Sequence, residues 1–186
     1  MTREEKLIRK TEQGDADAME ELITIYYPEI LKYCLWHAPN RMMAEDAAQE
    51  TFLKVIRYMD TRVYRGKFKP FLYKIAANTC IDMKRRKWTG EISLESLEED
   101  MTYTEMGFEK VDDDILLRHL VRNLKSEWQE IVILRFGQDL TMREIAEVTG
   151  IRLRTVQSRL RMALKQLEKE LEKEEKSNEQ KSGNET

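Results

Sequence analysis

Polar and basic side chains recur at helical spacing in three stretches of this sequence, and each set could recognise a polyanion or a charged partner. The first set runs from Lys54 to Lys87, where eleven Lys and Arg residues stand against only Asp60 and Asp82, for a net +9. Within it Lys74, Asn78, Asp82 and Arg85 follow at steps of four, four and three, which a helix would align as one stripe. The stripe flows into Lys84-Arg85-Arg86-Lys87, and the loop before it mixes Arg62, Arg65 and Lys67 with Tyr64. Basic residues interleaved with rings such as Tyr64 and Phe71 suit single-stranded nucleic acid, the cations following phosphates and the rings stacking on unpaired bases. The same pattern also fits a basic solvated helix whose Tyr64 and Phe71 pack inside.

The second set lies in LTMREIAEVTGIRLRTVQSRLRMALKQL. Thr141 with Glu144 three residues on is the pattern of a capping box, opening a helix to about Val148. Gly150 can take the left-handed backbone that a tight turn needs, and a second helix then places Val156, Leu160, Ala163 and Leu167 inward. Arg152, Arg154, Thr155, Gln157, Ser158 and Arg161 remain for its outer face, and Arg and Gln are side chains that read guanine and adenine edges in the major groove. The pattern is a helix-turn-helix. The third set, Asp46, Gln49 and Glu50, lies opposite an apolar row of Ala44, Ala47/Ala48, Thr51/Phe52, Val55/Ile56 and Met59. Alone, that trio fits an ordinary solvated face as well as a docking stripe for a basic partner.

Catalytic chemistry lacks its parts. Seven scattered glycines form neither GxGxxG nor GxxxxGK[ST], and two histidines, His37 and His119, cannot assemble a zinc site of usual spacing. Asp46 and Glu50 stand one helical turn apart, as a metal-dependent nuclease would need, but no third carboxylate or histidine clearly joins them. Neither an enzymatic activity nor a cofactor nor a small-molecule substrate is expected.

The elements that must carry these sets are helical. Charged residues make up 36% of the 186, against about 25% in ordinary domains, while 41% are hydrophobic and recur periodically. Glycine and proline are scarce, and all three prolines (Pro28, Pro39, Pro70) precede residue 71. An all-α fold follows. Leu22, Ile25, Tyr26, Ile30, Leu31, Cys34 and Leu35 predict one amphipathic helix or two, with Pro28 near a helix start. In the basic segment, Phe68, Phe71/Leu72, Ile75 and Thr79 can face inward.

Periodicity fails between Trp88 and Asp114, and Glu91–Asp114 holds ten acidic residues against Lys110, a net −9. Residues 141–165 then return to a net +4. The expected organisation is two small helical domains, 1–87 and 115–176, joined by a flexible acidic linker over 88–114 and followed by a disordered tail over 177–186. In the second domain, Ile115–Leu124 and Glu127–Phe136 should be short helices ahead of the helix-turn-helix. No apolar run reaches the ~20 residues of a membrane span, the amino terminus lacks a signal-peptide core, and Cys34 and Cys80 suit buried reduced thiols. A soluble cytoplasmic protein is expected.

AEDAAQETFLKVI, KFKPFLYKIAANTCIDMKRRK and EIAEVTGIRLRTVQSRLRMALKQL, in that order, resemble bacterial RNA polymerase sigma factors of the extracytoplasmic-function group. The resemblance covers about Glu20–Lys87 and Ile115–Leu167. It implies a factor that directs core RNA polymerase to promoter DNA. On that resemblance the helix around Asp46, Gln49, Glu50 and Phe52 grips the clamp of the core polymerase. The Thr61–Arg86 segment, with Tyr64, Lys67, Phe71, Lys74, Asn78, Asp82, Arg85 and Arg86, melts the −10 element and captures a flipped base. The Arg152–Arg161 helix reads the duplex −35 element, and the acidic linker threads into the polymerase. Family habit also implies an anti-sigma partner, often membrane-tethered. The chain departs from the family pattern at Phe68-Lys69-Pro70-Phe71-Leu72, where an aromatic-Arg-Ala-Trp-Leu stretch is usual, and at Arg154, where glycine is frequent. A helix-turn-helix regulator acting without polymerase is the main competing reading, but it has no use for the basic-aromatic segment.

Overall fold

The computed structural model describes residues 2–62, 66–88 and 118–182, with side chains as far as 86 and 173 in the last two stretches. Among them there is no strand, and the chain divides into two compact helical units. In the first, α1 (Arg3–Thr11), α2 (Ala16–His37), α3 (Arg41–Thr61) and α4 (Phe68–Trp88) follow in order. Short polar residues start three of them. Thr2 and Glu5 form a capping box on α1, Asp15 accepts from the Ala18 amide at 3.1 Å on α2, and Asn40 accepts from the Met43 amide at 2.9 Å on α3. Gly14, at φ +84°, makes the left-handed turn between α1 and α2.

Pro28 was expected near a helix start, yet α2 runs through it as one helix of 22 residues. Proline there removes the amide that would bond the Thr24 carbonyl. The helix survives because Pro28 is exposed while Tyr26, Ile30, Tyr33 and Cys34 on its inner face are buried on both sides of the break. Opposite them α3 presents Ala44, Ala47 and Ala48, each at most 1% exposed, whose small side chains admit the neighbouring helix closely. From α4 come Phe68, Leu72, Tyr73 and Ala76, so three amphipathic faces close on one core.

The second unit begins with a helical turn over 118–122 (α5), then α6 (Ser126–Val132), α7 (Met142–Thr149) and α8 (Leu153–Ser182). The single helix expected over Glu127–Phe136 instead changes at Ile133 to the wider π pattern through Gly137. Four consecutive residues, Ile131 to Leu134, are buried, and a regular helix turning 100° per residue would send at least one outward. The capping box at Thr141 and Glu144 is formed, and Gly150 closes α7 at φ +71° with its amide on the Ala146 carbonyl at 2.9 Å. Val156, Leu160, Ala163 and Leu167 are all buried, as the spacing predicts. The α8 backbone stays helical to Ser182, past the end expected near residue 176, through a stretch rich in the helix formers Glu, Lys and Gln. Tyr64 and the acidic stretch Glu91–Asp114 lie outside the described residues.

Candidate nucleic-acid interface

The stripe on α4 is real as a surface. Phe68, Leu72, Tyr73, Ala76, Thr79 and Cys80 are buried, which turns Lys74, Asn78, Arg85 and Arg86 outward as exposed residues. Two anchors hold the start of the helix to α2: Lys69 Nζ lies 3.2 Å from Glu29 Oε2, and the Tyr73 hydroxyl donates to the same carboxylate at 3.3 Å. Burial, and then the Glu29 charge, push the Tyr73 hydroxyl well above the ordinary phenol range, so it remains a donor.

Asp82 differs from its neighbours in the stripe. It pairs with Arg85 at 3.3 Å and with Lys54 of α3 at 3.7 Å, and Lys54 Nζ also donates to Thr79 Oγ1 at 3.1 Å. A carboxylate engaged by two cations serves better to fix them than to approach phosphates. Lys54, which helical spacing alone puts among the outward polar residues of α3, is thus a half-buried strut between α3 and α4.

Phe71 is half-buried, its ring 4.8 Å from Tyr58 and 6.3 Å from Phe68. The Arg62 guanidinium covers the Tyr58 ring at 5.6 Å, and Lys67 is exposed nearby in sequence. Aromatic and basic groups therefore meet where α3 ends and α4 begins. Tyr58 had not been singled out; its spacing on α3, three residues after Val55, merges with the apolar row.

On α3, Asp46 and Gln49 are exposed and Glu50 is partly so. Phe52 requires a correction. It is 5% exposed and stacks on Tyr27 with centroids 6.0 Å apart, so it fills the domain interior and offers nothing to a partner. The cause is helical period: Phe52 shares the inward row with Ala48 and Val55. The apolar group that does face outward beside Gln49 is Leu53, 47% exposed and four residues along the same face.

In the second unit Arg152, Arg154, Gln157, Ser158 and Arg161 are exposed and Thr155 is half-buried. Among the described residues the side chains of Arg154, Gln157, Ser158 and Arg161 enter no hydrogen bond or ion pair with the protein. Their helix is held from behind, where Arg159 pairs with Glu127 of α6 at 2.6 Å and Val156 is fully buried. Among the described residues no three His, Cys, Asp or Glu side chains are grouped to hold a metal, and no helix is long and apolar enough to cross a membrane.

Two helical units, one with a basic-polar helix stripe and one with a helix-turn-helix, define a class of two-part DNA-binding proteins. Residues 22–89 match the family model for Sigma-70 region 2, and residues 114–167 match the model for Sigma-70, region 4. The chain is 32% identical to the RNA polymerase sigma factor YlaC of Bacillus subtilis, over 82% of this chain and 91% of that one. It is 26% identical to the ECF RNA polymerase sigma factor SigW of the same species, over 88% and 94%. Its fold is that of CnrH, solved in complex with the cytosolic domain of CnrY (TM-score 0.67, 18% identity, 89% and 95% covered). The sigma factor RpoE of Bartonella quintana, solved with the anti-sigma factor NepR, gives a TM-score of 0.66 at 16% identity, over 82% and 96%. The chain belongs to the sigma-70 family, in its extracytoplasmic-function group. It is a sigma factor that directs promoter-specific initiation by RNA polymerase, and its family is one of transcription regulators rather than catalysts.

Proposed function

We propose that the two units divide promoter recognition between melted strand and duplex. Lys74, Asn78, Arg85 and Arg86, with Phe71 at the head of the helix and Tyr64 and Lys67 before it, take the −10 element as single strand. Asp82 positions Arg85 in that set. Arg152, Arg154, Thr155, Gln157, Ser158 and Arg161 read the −35 element in the major groove. Asp46, Gln49 and Glu50 dock on the core polymerase, with the acidic linker entering the enzyme. The observation that carries this division is the pair of outward polar faces, one on α4 and one on α8, each backed by a core of its own. The domain limits 1–87, 88–114 and 115–176 follow the same division.

The protein works in the cytoplasm, without catalytic activity or cofactor, and an anti-sigma partner that covers these faces controls it. CnrH and RpoE, each solved with a partner, support that last element. Membrane tethering of the partner remains the family's habit rather than a feature of these residues. Phosphate contacts make the affinity for promoter DNA fall steeply with salt.

Transcription of a fragmented bacterial genome by core polymerase, with and without the protein, tests the proposal through the RNA 5′ ends. Factor-dependent starts that share two upstream boxes are expected. No new starts, together with tight duplex binding by the protein alone, would replace it with a regulator that acts without polymerase.

A further inference from the structure

Cys34 on α2 and Cys80 on α4 are separated by 46 residues in the chain, yet their Sγ atoms lie 3.9 Å apart in the core of the first unit. Both are free thiols, and both are buried. Neither takes part in the surfaces assigned to DNA or polymerase. From the geometry we infer that Cys34 and Cys80 form an oxidant-sensitive dithiol that hydrogen peroxide closes to an intramolecular disulfide.

Two observations support the pairing beyond its distance. The helices that carry the thiols are held in register around them: the Tyr33 ring meets the Tyr73 ring edge-on at 5.5 Å, and Glu29 ties Tyr73 and Lys69 to α2. The sulfurs therefore stay neighbours, and closing 3.9 Å to a bond of about 2.05 Å asks for side-chain rotation and a small approach of the helices. Second, the pair has an entrance. Cys80 lines an apolar cleft of about 20 Å³ with His37, Pro39, Met43, Met83 and Lys84, space for one water-sized molecule next to the thiol.

The two thiols are not equivalent. Cys34 is fully buried, and its hydrogen bond with Cys80, followed by burial, pushes its thiol far above the ordinary range. Cys80 keeps 6% exposure and lines the cleft, whereas Cys34 is fully buried and does not line it. Cys80 is thus the attacking group. Its thiolate bonds to one peroxide oxygen, the O–O bond breaks, and the departing hydroxide leaves as water with the thiol proton. Cys34 then attacks the sulfenic sulfur, the S–O bond breaks, and a second water leaves with the Cys34 proton. Two thiols are oxidised and one peroxide is reduced to two waters. The new bond would staple α4 to α2 directly behind the stripe.

The test is peptide mapping of the folded full-length chain after brief exposure to hydrogen peroxide and alkylation of the remaining thiols. The expected product is a Cys34 peptide joined to a Cys80 peptide, within monomeric protein and released by dithiothreitol. Mapping reads the cysteines separately from oxidised methionines. In Cys34→Ala, Cys80 has no resolving partner and should accumulate as sulfinic or sulfonic acid. The inference is overturned if both wild-type thiols are still alkylated, if Cys80 is over-oxidised while Cys34 remains free, or if the disulfide joins two chains. The wild-type map decides the matter even if the variant does not fold.

Discussion

The two faces proposed to read the promoter are built in opposite ways. On α4 the stripe is tied into its own domain: Asp82 holds Arg85 and meets Lys54, Lys54 reaches Thr79, and Glu29 anchors the start of the helix through Lys69 and Tyr73. On α8 the outward Arg154, Gln157, Ser158 and Arg161 have no such ties among the described residues, and structure is supplied from beneath by the turn at Gly150 and the Arg159–Glu127 pair. The difference matches the two proposed ligands. A melted strand has no shape of its own, so the protein must present a fixed surface on which bases can be captured. A duplex arrives already ordered, and long uncommitted side chains can adjust to its base edges.

The largest expected effect concerns what lies beneath the fixed surface. Phe52→Ala should destabilise the first unit by about 3–5 kcal/mol in chemical denaturation, as removal of a buried aromatic does. Gln49→Ala, one turn away and exposed, should leave stability within about 0.5 kcal/mol while weakening capture by core polymerase. If Phe52→Ala were as stable as the parent, the corrected placement of Phe52 would be wrong.

Next come the uncommitted side chains of α8. Arg154→Ala and Arg161→Ala should each cost about 1–3 kcal/mol in binding of a −35 duplex, measured by titration at fixed salt, with no change in melting of the −10 element. Asn78→Ala should show the reverse, impaired promoter opening in a permanganate assay with duplex affinity unchanged. Equal losses of binding and opening in Asn78→Ala would end the division of labour.

The strut is a smaller lever. Lys54 and Asp82 are both partly exposed, so Lys54→Met should change stability by no more than about 1 kcal/mol. It should nevertheless reduce capture of a −10 single strand a few-fold. An unchanged strand affinity would reduce Lys54 to an ordinary surface lysine.

The mildest test uses protons. His37 has a folded pKa near 3, held below its ordinary 6.5 by burial and then by Lys84. The unfolded chain therefore binds the extra proton first. Stability from this group is complete above pH 6.5 and drains as pH falls from 6.5 toward 3, at up to about 1.4 kcal/mol per pH unit. Urea midpoints of His37→Gln should fall less steeply over that window than those of the parent, once the pH dependence common to both is subtracted.

How much of this was legible depended on distance along the chain. The capping box at Thr141 and Glu144, the left-handed Gly150 and the inward row Val156, Leu160, Ala163 and Leu167 are set by residues within a few positions of each other, and the structure has each of them as spacing implies. The outward direction of Lys74, Asn78 and Arg85 was readable for the same reason. Phe52 was assigned both to the apolar row and to a partner, and only its burial against Tyr27 separates the two. Pro28 looked like a boundary because its local cost is visible in sequence, whereas the packing of Tyr26 and Ile30 that offsets it is not.

By itself, then, the sequence determined the helices, their buried faces, the basic–acidic–basic layout and the motifs in order, because propensity, period and capping act within one or two turns. Tertiary structure alone decided that Lys54 turns to Thr79 across 25 residues, that Asp82 is a tie rather than a free carboxylate, and that Cys34 meets Cys80 across 46. Those pairings exist only after α2, α3 and α4 close on a common core. Helical period says which way a side chain points; only the packed helices say what it meets there.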